Sequence, residues 1–422
     1  MEENKQPIQK AVLVAVDTGA YDVDASLAEL WALAESAGAE VLATASQKRA
    51  SFDRATLVGS GRIEEIREAA AANDANLIIF DHELTATQIR NISKIVEMDV
   101  IDRTMLILDI FAGRALTKEG RLQVELAQQR YRLPRLGGQG LSLSRLGGGI
   151  GTRGPGETKL EADRRHIRRR IQILETQLKE LEGRRAHKRA RRKKDGVTMV
   201  AIVGYTNVGK STLLNTLTDA GVLAEDKLFA TLDPAARKLS LPNGRDVMLV
   251  DTVGLIRRLP HQLVKAFLST LEEAAYADLI LNVCDASSAD AEEQIAVTQT
   301  LMAQLGVRDT PMVTVRNKID KLAGQIPIPG EGKEVPISAR TGAGIDNLLR
   351  AVEGALEPSQ IKIEFLLPYS KGGLLAEIRE SGKILEETFT EDGTRAVALA
   401  DQKILHKITP YKIDDGDSGA CG

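Results

Sequence analysis

The first part of the chain, from Gln9 to Arg114, alternates short apolar runs with amphipathic stretches of helical spacing. The runs Ala11–Val16, Val41–Thr44 and Leu77–Phe80 are apolar and free of charged residues. Such runs, separated by helices, are typical of buried strands in a parallel sheet. The pattern therefore predicts an N-terminal α/β layer.

A pair of glycines within this layer, Gly59 and Gly61, raises the possibility of a nucleotide-binding loop. The segment Val58–Arg62 lacks a third glycine and the Lys-Ser/Thr ending that phosphate loops carry. A plain turn into a helix is the favoured interpretation, and a second nucleotide site is the alternative.

The pattern changes to a helical one after Thr117. Helices are predicted over residues 120–133 and again from Glu157, and residues 136–156 between them hold nine glycines. Apolar spacings of four, three, four and three in the second helix are typical of a coiled-coil seam. The seam residues are Ile167, Ile171, Leu174, Leu178 and Leu181. We expect an antiparallel helical hairpin whose glycine-rich tip carries Arg145 and Arg153.

Beyond residue 196, four apolar strands each lead into a polar loop. The strands are Val197–Val203, Met248–Val250, Met312–Val315 and Val335–Ile337. After a boundary at Glu357–Ser359, an alternating strand, a short helix and a turn at residues 391–393 predict a small α+β domain. A disordered tail is expected from Asp414.

Together these patterns predict an α/β protein with an N-terminal α/β domain, a helical hairpin, a third domain built on four strands that lead into polar loops, and a small α+β C-terminal domain. The expected boundaries are 1–115 for the N-terminal domain, 116–195 for the hairpin, 196–357 for the third domain and 358–422 for the C-terminal domain.

The loop after the first strand of the third domain has the residues of a phosphate-binding P-loop. Its glycines let backbone N–H groups surround phosphates, and the following helix N-terminus adds a favourable partial charge. Lys210 can reach the outer phosphates, and the Ser211 hydroxyl can ligate Mg²⁺. The expected phosphate-binding residues are Gly204, Tyr205, Thr206, Asn207, Val208, Gly209, Lys210 and Ser211.

The second loop suits the far end of a bound triphosphate. An acidic residue at a strand end supports Mg²⁺, and a glycine three residues later can turn its N–H toward the γ-phosphate. These residues are Asp251, Thr252, Val253 and Gly254.

The last two loops suit guanine. The Asp320 carboxylate can accept hydrogen bonds from guanine N1–H and the 2-amino group, and adenine offers neither donor. The loop after the fourth strand is placed to touch the base. The expected residues are Asn317, Lys318, Ile319 and Asp320, with Ser338, Ala339 and Arg340. Four such loops in this order predict that the third domain, residues 196–357, is a P-loop GTPase domain that binds GTP.

Thr231 lies twenty residues past Ser211, a distance that suits a switch threonine closing over Mg²⁺ and the γ-phosphate; an ordinary loop threonine is the alternative. We expect Ser211 and Thr231 as metal ligands, and Lys210, Thr231 and Gly254 as catalytic residues. The switch residues expected near GTP are Phe229, Ala230, Thr231, Leu232 and Asp233.

Many GTPases have a water-orienting glutamine where this chain has Leu255. The isolated protein should therefore hydrolyse GTP slowly until a partner completes the site.

The net charge of −3 hides a strong asymmetry. Residues 161–194 contain fourteen Lys/Arg against five Asp/Glu, which indicates a polyanionic partner. A solvated basic face on a linker is the alternative. The expected RNA-binding residues are Arg145, Arg153, Arg164, Arg165, Arg168 and Arg169.

Hydrophobic residues make up 43% of the 422 residues, yet no apolar stretch approaches the roughly 20 residues of a membrane helix. The N-terminus lacks a secretory pattern, and two cysteines offer no disulfide framework. We expect a cytoplasmic monomer without a membrane span.

Several sequence blocks between about residues 9 and 357 resemble the HflX family of GTPases. The blocks are Asp102–Thr104, Ile107–Phe111, Leu122–Gln128, Gly148–Thr158, Gly204–Asn207 and Phe229–Pro234. The resemblance implies a cytoplasmic GTPase that binds GTP/GDP and Mg²⁺ and joins the large ribosomal subunit and its rRNA. It also implies ribosome-stimulated hydrolysis and the splitting of stalled or hibernating ribosomes under stress. A hydrophobic residue at Leu255 fits this family.

Two other functions remain open. One is a GTPase that acts in assembly of the large subunit. The other is an ATP-driven RNA remodeller that uses the region of Gly59 and Gly61, although helicase-type motifs are absent.

Overall fold

The structure is a computed structural model that places the chain in two compact units, Met1–Ala351 and Val352–Gly422. Among the residues it describes, no helix is long and apolar enough to cross a membrane. The described residues are 8–138, 155–218, 228–229, 235–258, 274–307, 310–322, 334–356, 361–400 and 402–413.

The N-terminal layer (residues 10–114) is built on a four-stranded parallel sheet with strand order β2-β1-β3-β4. The strands are β1 Lys10–Asp17, β2 Glu40–Lys48, β3 Leu77–Phe80 and β4 Asp99–Asp102. The first three confirm the predicted strands. The fourth was not predicted, because only two apolar residues stand between its terminal aspartates.

Helices cover both faces of this sheet. They are α1 Val23–Ser36, α2 Ser60–Ala72, α3 Ala86–Val96 and α4 Arg103–Arg114. Alternate residues of β1 enter two separate cores, Leu13 in one and Val14 in the other. This explains the continuous apolar run, because a strand covered on both faces has no polar side.

A helical arm follows the layer. It comprises α5 Lys118–Arg132, a short 3₁₀ turn over Leu133–Gly138, and the 40-residue helix α6 Pro155–Lys194. Leu174 of the predicted seam is fully buried against Leu122 and Leu126 of α5. The tip of the predicted hairpin, with Arg145 and Arg153, lies outside the described residues.

The rest of the first unit is a six-stranded sheet with order β10-β9-β8-β5-β7-β6, in which β6 alone runs antiparallel to its neighbour. The strands are β5 Thr198–Gly204, β6 Ala235–Ser240, β7 Asp246–Asp251, β8 Leu279–Asp285, β9 Met312–Asn317 and β10 Glu334–Pro336. The helices are α7 Lys210–Thr218, α8 Ala291–Gln304 and α9 Ile345–Leu356, the last of which ends in the second unit. All four predicted strands are confirmed, and their carboxyl ends meet at one edge.

The second unit has a three-stranded antiparallel sheet, order β11-β13-β12, whose final hairpin turns at the predicted position. Its elements are β11 Ile361–Leu367, α10 Gly372–Ser381, β12 Lys383–Thr390, β13 Gly393–Ala400 and α11 Gln402–Ile408. The sheet and both helices enclose one apolar core around Phe365. The tail from Asp414 lies outside the described residues.

Candidate functional site

The loop between β5 and α7 brings the predicted phosphate-binding residues together. Lys210 opens α7 and is 7% exposed, and its Nζ donates a hydrogen bond of 2.6 Å to the Tyr205 carbonyl. Gly209 has a φ of +93°, and a Cβ there would lie 2.4 Å from Asn317 Nδ2. Only glycine suits that position, because it alone satisfies both the backbone conformation and the close approach.

The charge of Lys210 depends on its surroundings. Burial lowers the pKa of its ammonium group to about 8, and the nearby Asp251 carboxylate opposes that shift. An anionic phosphate chain beside Nζ would stabilise the ammonium form. Lys210 is therefore suited to recognise phosphate charge rather than to act as a base.

The Mg²⁺ expected in this domain has suitable oxygen donors. Ser211 Oγ donates a hydrogen bond of 2.9 Å to Oδ2 of Asp251, whose carboxylate is fully buried at the end of β7. A hydroxyl and a carboxylate are the hard oxygen ligands that Mg²⁺ prefers, and phosphates and waters complete such sites. The residues present fit the ion. Among the described residues there is no cluster of three or more His, Cys, Asp or Glu side chains that could hold a metal by itself.

The segment from Asp251 to Arg258, which we term the switch segment, lies directly on the phosphate loop. Leu255 N–H donates to the Gly204 carbonyl at 3.0 Å, and the Leu255 carbonyl accepts from Thr206 N–H at 2.7 Å. A Cβ on Gly254 would lie 2.8 Å from the Thr206 Cα and 3.0 Å from Lys210 Nζ. Gly254 thus lies close to the lysine expected at the outer phosphates, with no room for a side chain between them.

Asn317 joins the base-recognition loops to the phosphate loop. Its Nδ2 donates to the Val208 carbonyl at 2.8 Å, and its Oδ1 accepts from Ala339 N–H at 2.9 Å. This buried amide therefore links all three loops.

The neighbouring residues form the predicted guanine end of the site. Lys318 Nζ donates to the Asn207 carbonyl at 2.6 Å and pairs with Asp285 at 2.8 Å. Ser338 Oγ donates to Asp320 Oδ1 at 2.6 Å, and this hydrogen bond holds the pKa of the Asp320 carboxyl below its usual value. The carboxylate is thus ionised and oriented, as an acceptor for two guanine donors must be.

Of the switch residues predicted around Thr231, the structure describes only Phe229, together with the preceding Leu228. Phe229 is 2% exposed, and its ring lies 4.5 Å from that of Phe111 in α4, within the core of the N-terminal layer. Ala230, Thr231, Leu232 and Asp233 lie outside the described residues.

Residues of the N-terminal layer also contact the switch segment, at Arg257 and Arg258. Arg103 donates to the Arg257 carbonyl at 3.1 Å, and Arg257 N–H donates to Glu29 at 3.2 Å. Arg258 pairs with the fully buried Asp81, and its guanidinium lies 3.8 Å from the centre of the Tyr21 ring.

Sequence reasoning missed this second group of site residues. One signal was available, since Asp81 directly follows the apolar run of β3 and polar residues at the carboxyl ends of parallel strands often mark sites. Gly59 and Gly61 lie at the start of α2, where Gly59 N–H donates to the Gln47 side chain at 2.7 Å. That region is a turn into a helix, as favoured from the sequence.

The arginines of α6 differ in their contacts. Arg170 forms a bidentate salt bridge with Glu125 of α5 at 2.6 and 2.7 Å, and Arg185 forms a salt bridge with Glu119 at 3.1 Å. Of the four predicted RNA-binding residues on this helix, Arg165, Arg168 and Arg169 are exposed and Arg164 is half-buried. None of these four forms an ion pair with a residue that the structure describes.

The fold and its four loops define a P-loop GTP-binding protein. Three family models match the chain: GTP-binding GTPase N-terminal over residues 24–112, GTP-binding GTPase Middle Region over 114–192, and 50S ribosome-binding GTPase over 199–318. The chain belongs to the HflX family of GTPases.

Two curated relatives illustrate the similarity. GTPase HflX of Caldanaerobacter subterraneus subsp. tengcongensis is 51% identical, over 98% of this chain and 96% of that protein. GTPase HflX of Escherichia coli (strain K12) is 41% identical, over 96% of this chain and 97% of that protein. Among solved structures, the complex of SsGBP with GDP is 26% identical and covers 82% of this chain and 98% of that one, with a TM-score of 0.48.

Proposed function

We propose that this protein binds the large ribosomal subunit in a GTP-dependent manner and splits stalled or hibernating ribosomes under stress. Membership of the HflX family supports the proposal, as does the match to a family model described as a 50S ribosome-binding GTPase. The observation that carries it is the exposed basic face of α6 at Arg165, Arg168 and Arg169, which form no ion pair with the residues that the structure describes.

That face has the geometry of a phosphate-contacting surface. Arg165, Arg168 and Arg169 are spaced by three and four residues, so they share one side of the helix. Arg170 and Arg185 already pair with α5, whereas these three are exposed. Arginines that form no ion pair with a residue that the structure describes can replace the counterions of an RNA backbone, and the release of those counterions drives binding.

Hydrolysis of GTP follows from the residues of the phosphate site. The Lys210 ammonium and the loop N–H groups would neutralise phosphate charge, and Gly254 N–H would donate to the γ-phosphate once the switch segment has moved outward. Ser211 and Thr231 would hold Mg²⁺, which would neutralise charge on the β- and γ-phosphates. Leu255 carries no group that orients water, so we propose slow turnover alone and faster turnover on the ribosome.

The test measures GTP turnover by the full chain, alone and with purified large ribosomal subunits. Two variants are measured in the same way. One lacks residues 137–156, and the other carries Arg165→Gln, Arg168→Gln and Arg169→Gln. A charge-matched control carries Arg54→Gln, Arg237→Gln and Arg350→Gln, three exposed arginines away from α6. Strong stimulation of the wild type and the control, reduced in the other two proteins, is the expected result.

Other outcomes would redirect the assignment. If stimulation survives both the deletion and the triple substitution, the ribosome remains the partner, but the helical arm is not the part of the protein through which it stimulates hydrolysis. Stimulation by precursor particles only would indicate subunit assembly, the alternative partner. Nucleotide turnover that depends on ATP and survives Lys210→Ala would point to the RNA-remodelling alternative. Light scattering of mature ribosomes then tests splitting directly, and a constant signal with GTP present would contradict it.

A further inference from the structure

The outer end of the phosphate site is closed by the protein's own backbone. Thr206 N–H and the Gly204 carbonyl are both occupied by Leu255, and Lys210 Nζ is directed onto the Tyr205 carbonyl. Gly254 lies against Thr206 and close to Lys210. The two groups expected to bracket a γ-phosphate therefore lie so close together that a Cβ added to Gly254 would be 3.0 Å from Lys210 Nζ.

This closure affects a third phosphate more than the first two. The α- and β-phosphates bind within the loop and at the start of the helix, whereas the γ-phosphate lies between the loop lysine and the switch glycine. Entry of a γ-phosphate between these groups would require Gly254 and Leu255 to move outward, which would break the two Leu255 hydrogen bonds. GDP makes no such demand.

The closed switch segment is fastened by charged residues of the N-terminal layer. Arg103, 3% exposed, binds the Arg257 carbonyl and both Glu29 and Asp81, the last at 2.9 Å. Glu29 in turn accepts from the Arg257 N–H. Because these groups are largely removed from water, an unpaired member would be costly, which favours the docked arrangement.

Arg258 provides a second fastening point. Its guanidinium contacts Asp81 and Ser26 and lies over the Tyr21 ring. Its backbone has a φ of +48°, a conformation that non-glycine residues adopt only where surrounding contacts hold them. The docking contacts therefore maintain a backbone arrangement that the segment would not keep by itself.

We propose that docking of the switch segment on Glu29, Asp81 and Arg103 sets the preference of this protein for GDP over GTP. The residues that determine this preference lie outside the nucleotide site. They act by stabilising the conformation in which Gly254 and Leu255 cover the γ-phosphate position. By thermodynamic reciprocity, GTP must weaken docking by the same factor by which docking weakens GTP.

The first test changes the docking without touching the phosphate loop. Arg258→Gln in the full chain removes the charged contact with Asp81, and Arg237→Gln on an exposed strand is the matched control. Equilibrium affinities are measured for GTPγS and for GDP. The expected result for Arg258→Gln is an affinity for GTPγS raised by about fivefold to a hundredfold, with that for GDP changed less than twofold. The control should change neither.

A second variant protects the test against a simple folding defect. Glu29→Gln, in α1, removes the charge that pairs with Arg103 and weakens the contact with Arg257 N–H. It should shift the ratio of the GTPγS and GDP affinities in the same direction. Unfolding would instead lower both affinities together. An unchanged ratio in both variants, or parallel changes for GTPγS and GDP, would overturn the proposal.

The reciprocal effect gives an independent readout. GTPγS, and not GDP, should increase amide hydrogen exchange in the switch segment and at the start of α4, where Arg103 lies. Equal exchange with the two nucleotides would also overturn the proposal.

Discussion

Asn317 Nδ2 and the Val208 carbonyl, 109 residues apart in the chain, form a buried hydrogen bond of 2.8 Å. The same amide accepts from Ala339 N–H, so one side chain joins the phosphate loop to both base-recognition loops. The geometry of the nucleotide cleft therefore depends on an interaction inside the protein as well as on contacts with the ligand.

Asn317→Asp tests the two hydrogen bonds of this amide separately, because it removes the donor and keeps the acceptor. Aspartate can still accept from Ala339 N–H, but it leaves the Val208 carbonyl without its donor, and a buried polar group left unpaired costs about 1–3 kcal/mol. We expect affinity for GDP to fall by about tenfold or more, and Asn317→Ala to lower it further. Calorimetric titration measures both. Full affinity in the aspartate variant would show that the link to Val208 is dispensable.

Base selection should depend on the Asp320 carboxylate. Asp320→Asn replaces one acceptor oxygen with a donor, which opposes the guanine 2-amino group and suits the 2-carbonyl of xanthine. We expect affinity for GTP to fall by about a hundredfold or more and affinity for XTP to rise. Competition binding with GTP, XTP and ATP measures the change. Retained preference for GTP would place guanine recognition elsewhere.

Nucleotide binding should be coupled to protonation of Lys210, whose pKa is about 8 in the cleft. Phosphate stabilises the charged form and raises that pKa, so binding at pH 8 takes up protons. Affinity should be highest below pH 8 and should decline above it, by at most about tenfold per pH unit.

Calorimetry in buffers of different ionisation enthalpy measures this proton uptake. Lys210→Arg, whose charge persists across the range, is the matched control for the pH dependence. Affinity of the wild type that is constant between pH 7 and pH 9 would contradict the assignment of the shifted group.

Adjacent residues of α6 offer a direct test of the predicted seam. Leu174 is fully buried against α5, whereas Ile173 is 41% exposed. Leu174→Ala should reduce the local stability of the arm by about 2–5 kcal/mol, because it leaves a cavity. Ile173→Ala should have a much smaller effect. Hydrogen exchange across residues 165–185 measures both, and equal losses of protection would argue against a seam at Leu174.

Salt dependence should distinguish phosphate contacts from other modes of ribosome binding. Each lost phosphate contact lowers the slope of log affinity against log salt by about 0.7–0.9. The Arg165, Arg168 and Arg169 triple glutamine variant should therefore reduce the slope for large-subunit binding by about 2–3. The triple variant at Arg54, Arg237 and Arg350 should leave it unchanged. Salt-insensitive binding by the wild type would refute the electrostatic account.

Some parts of the fold were predictable because their signals are local. The runs that became β1, β3 and β5 are nearly all apolar, as strands covered on both faces must be. β4 was missed because its two terminal aspartates shorten the apolar signal, and burial of Asp102 under Tyr131 becomes evident only once the arm packs there.

The nucleotide loops were determined by the sequence itself. In each of them, a few residues close together in sequence provide both the backbone conformation and the groups expected to bind the nucleotide. Their role can therefore be predicted without knowledge of the rest of the chain. Gly209 and Lys210 are such a pair, and so are Asn317 and Asp320.

Only the tertiary structure decided what holds the switch segment. Glu29, Asp81 and Arg103 meet Arg257 and Arg258 across 154 to 228 residues of chain. With 56 Lys/Arg and 59 Asp/Glu in the chain, many pairings are chemically equivalent. The pairs that form are those that the packing of α1, β3 and α4 brings together out of water, where leaving a charge unpaired costs most.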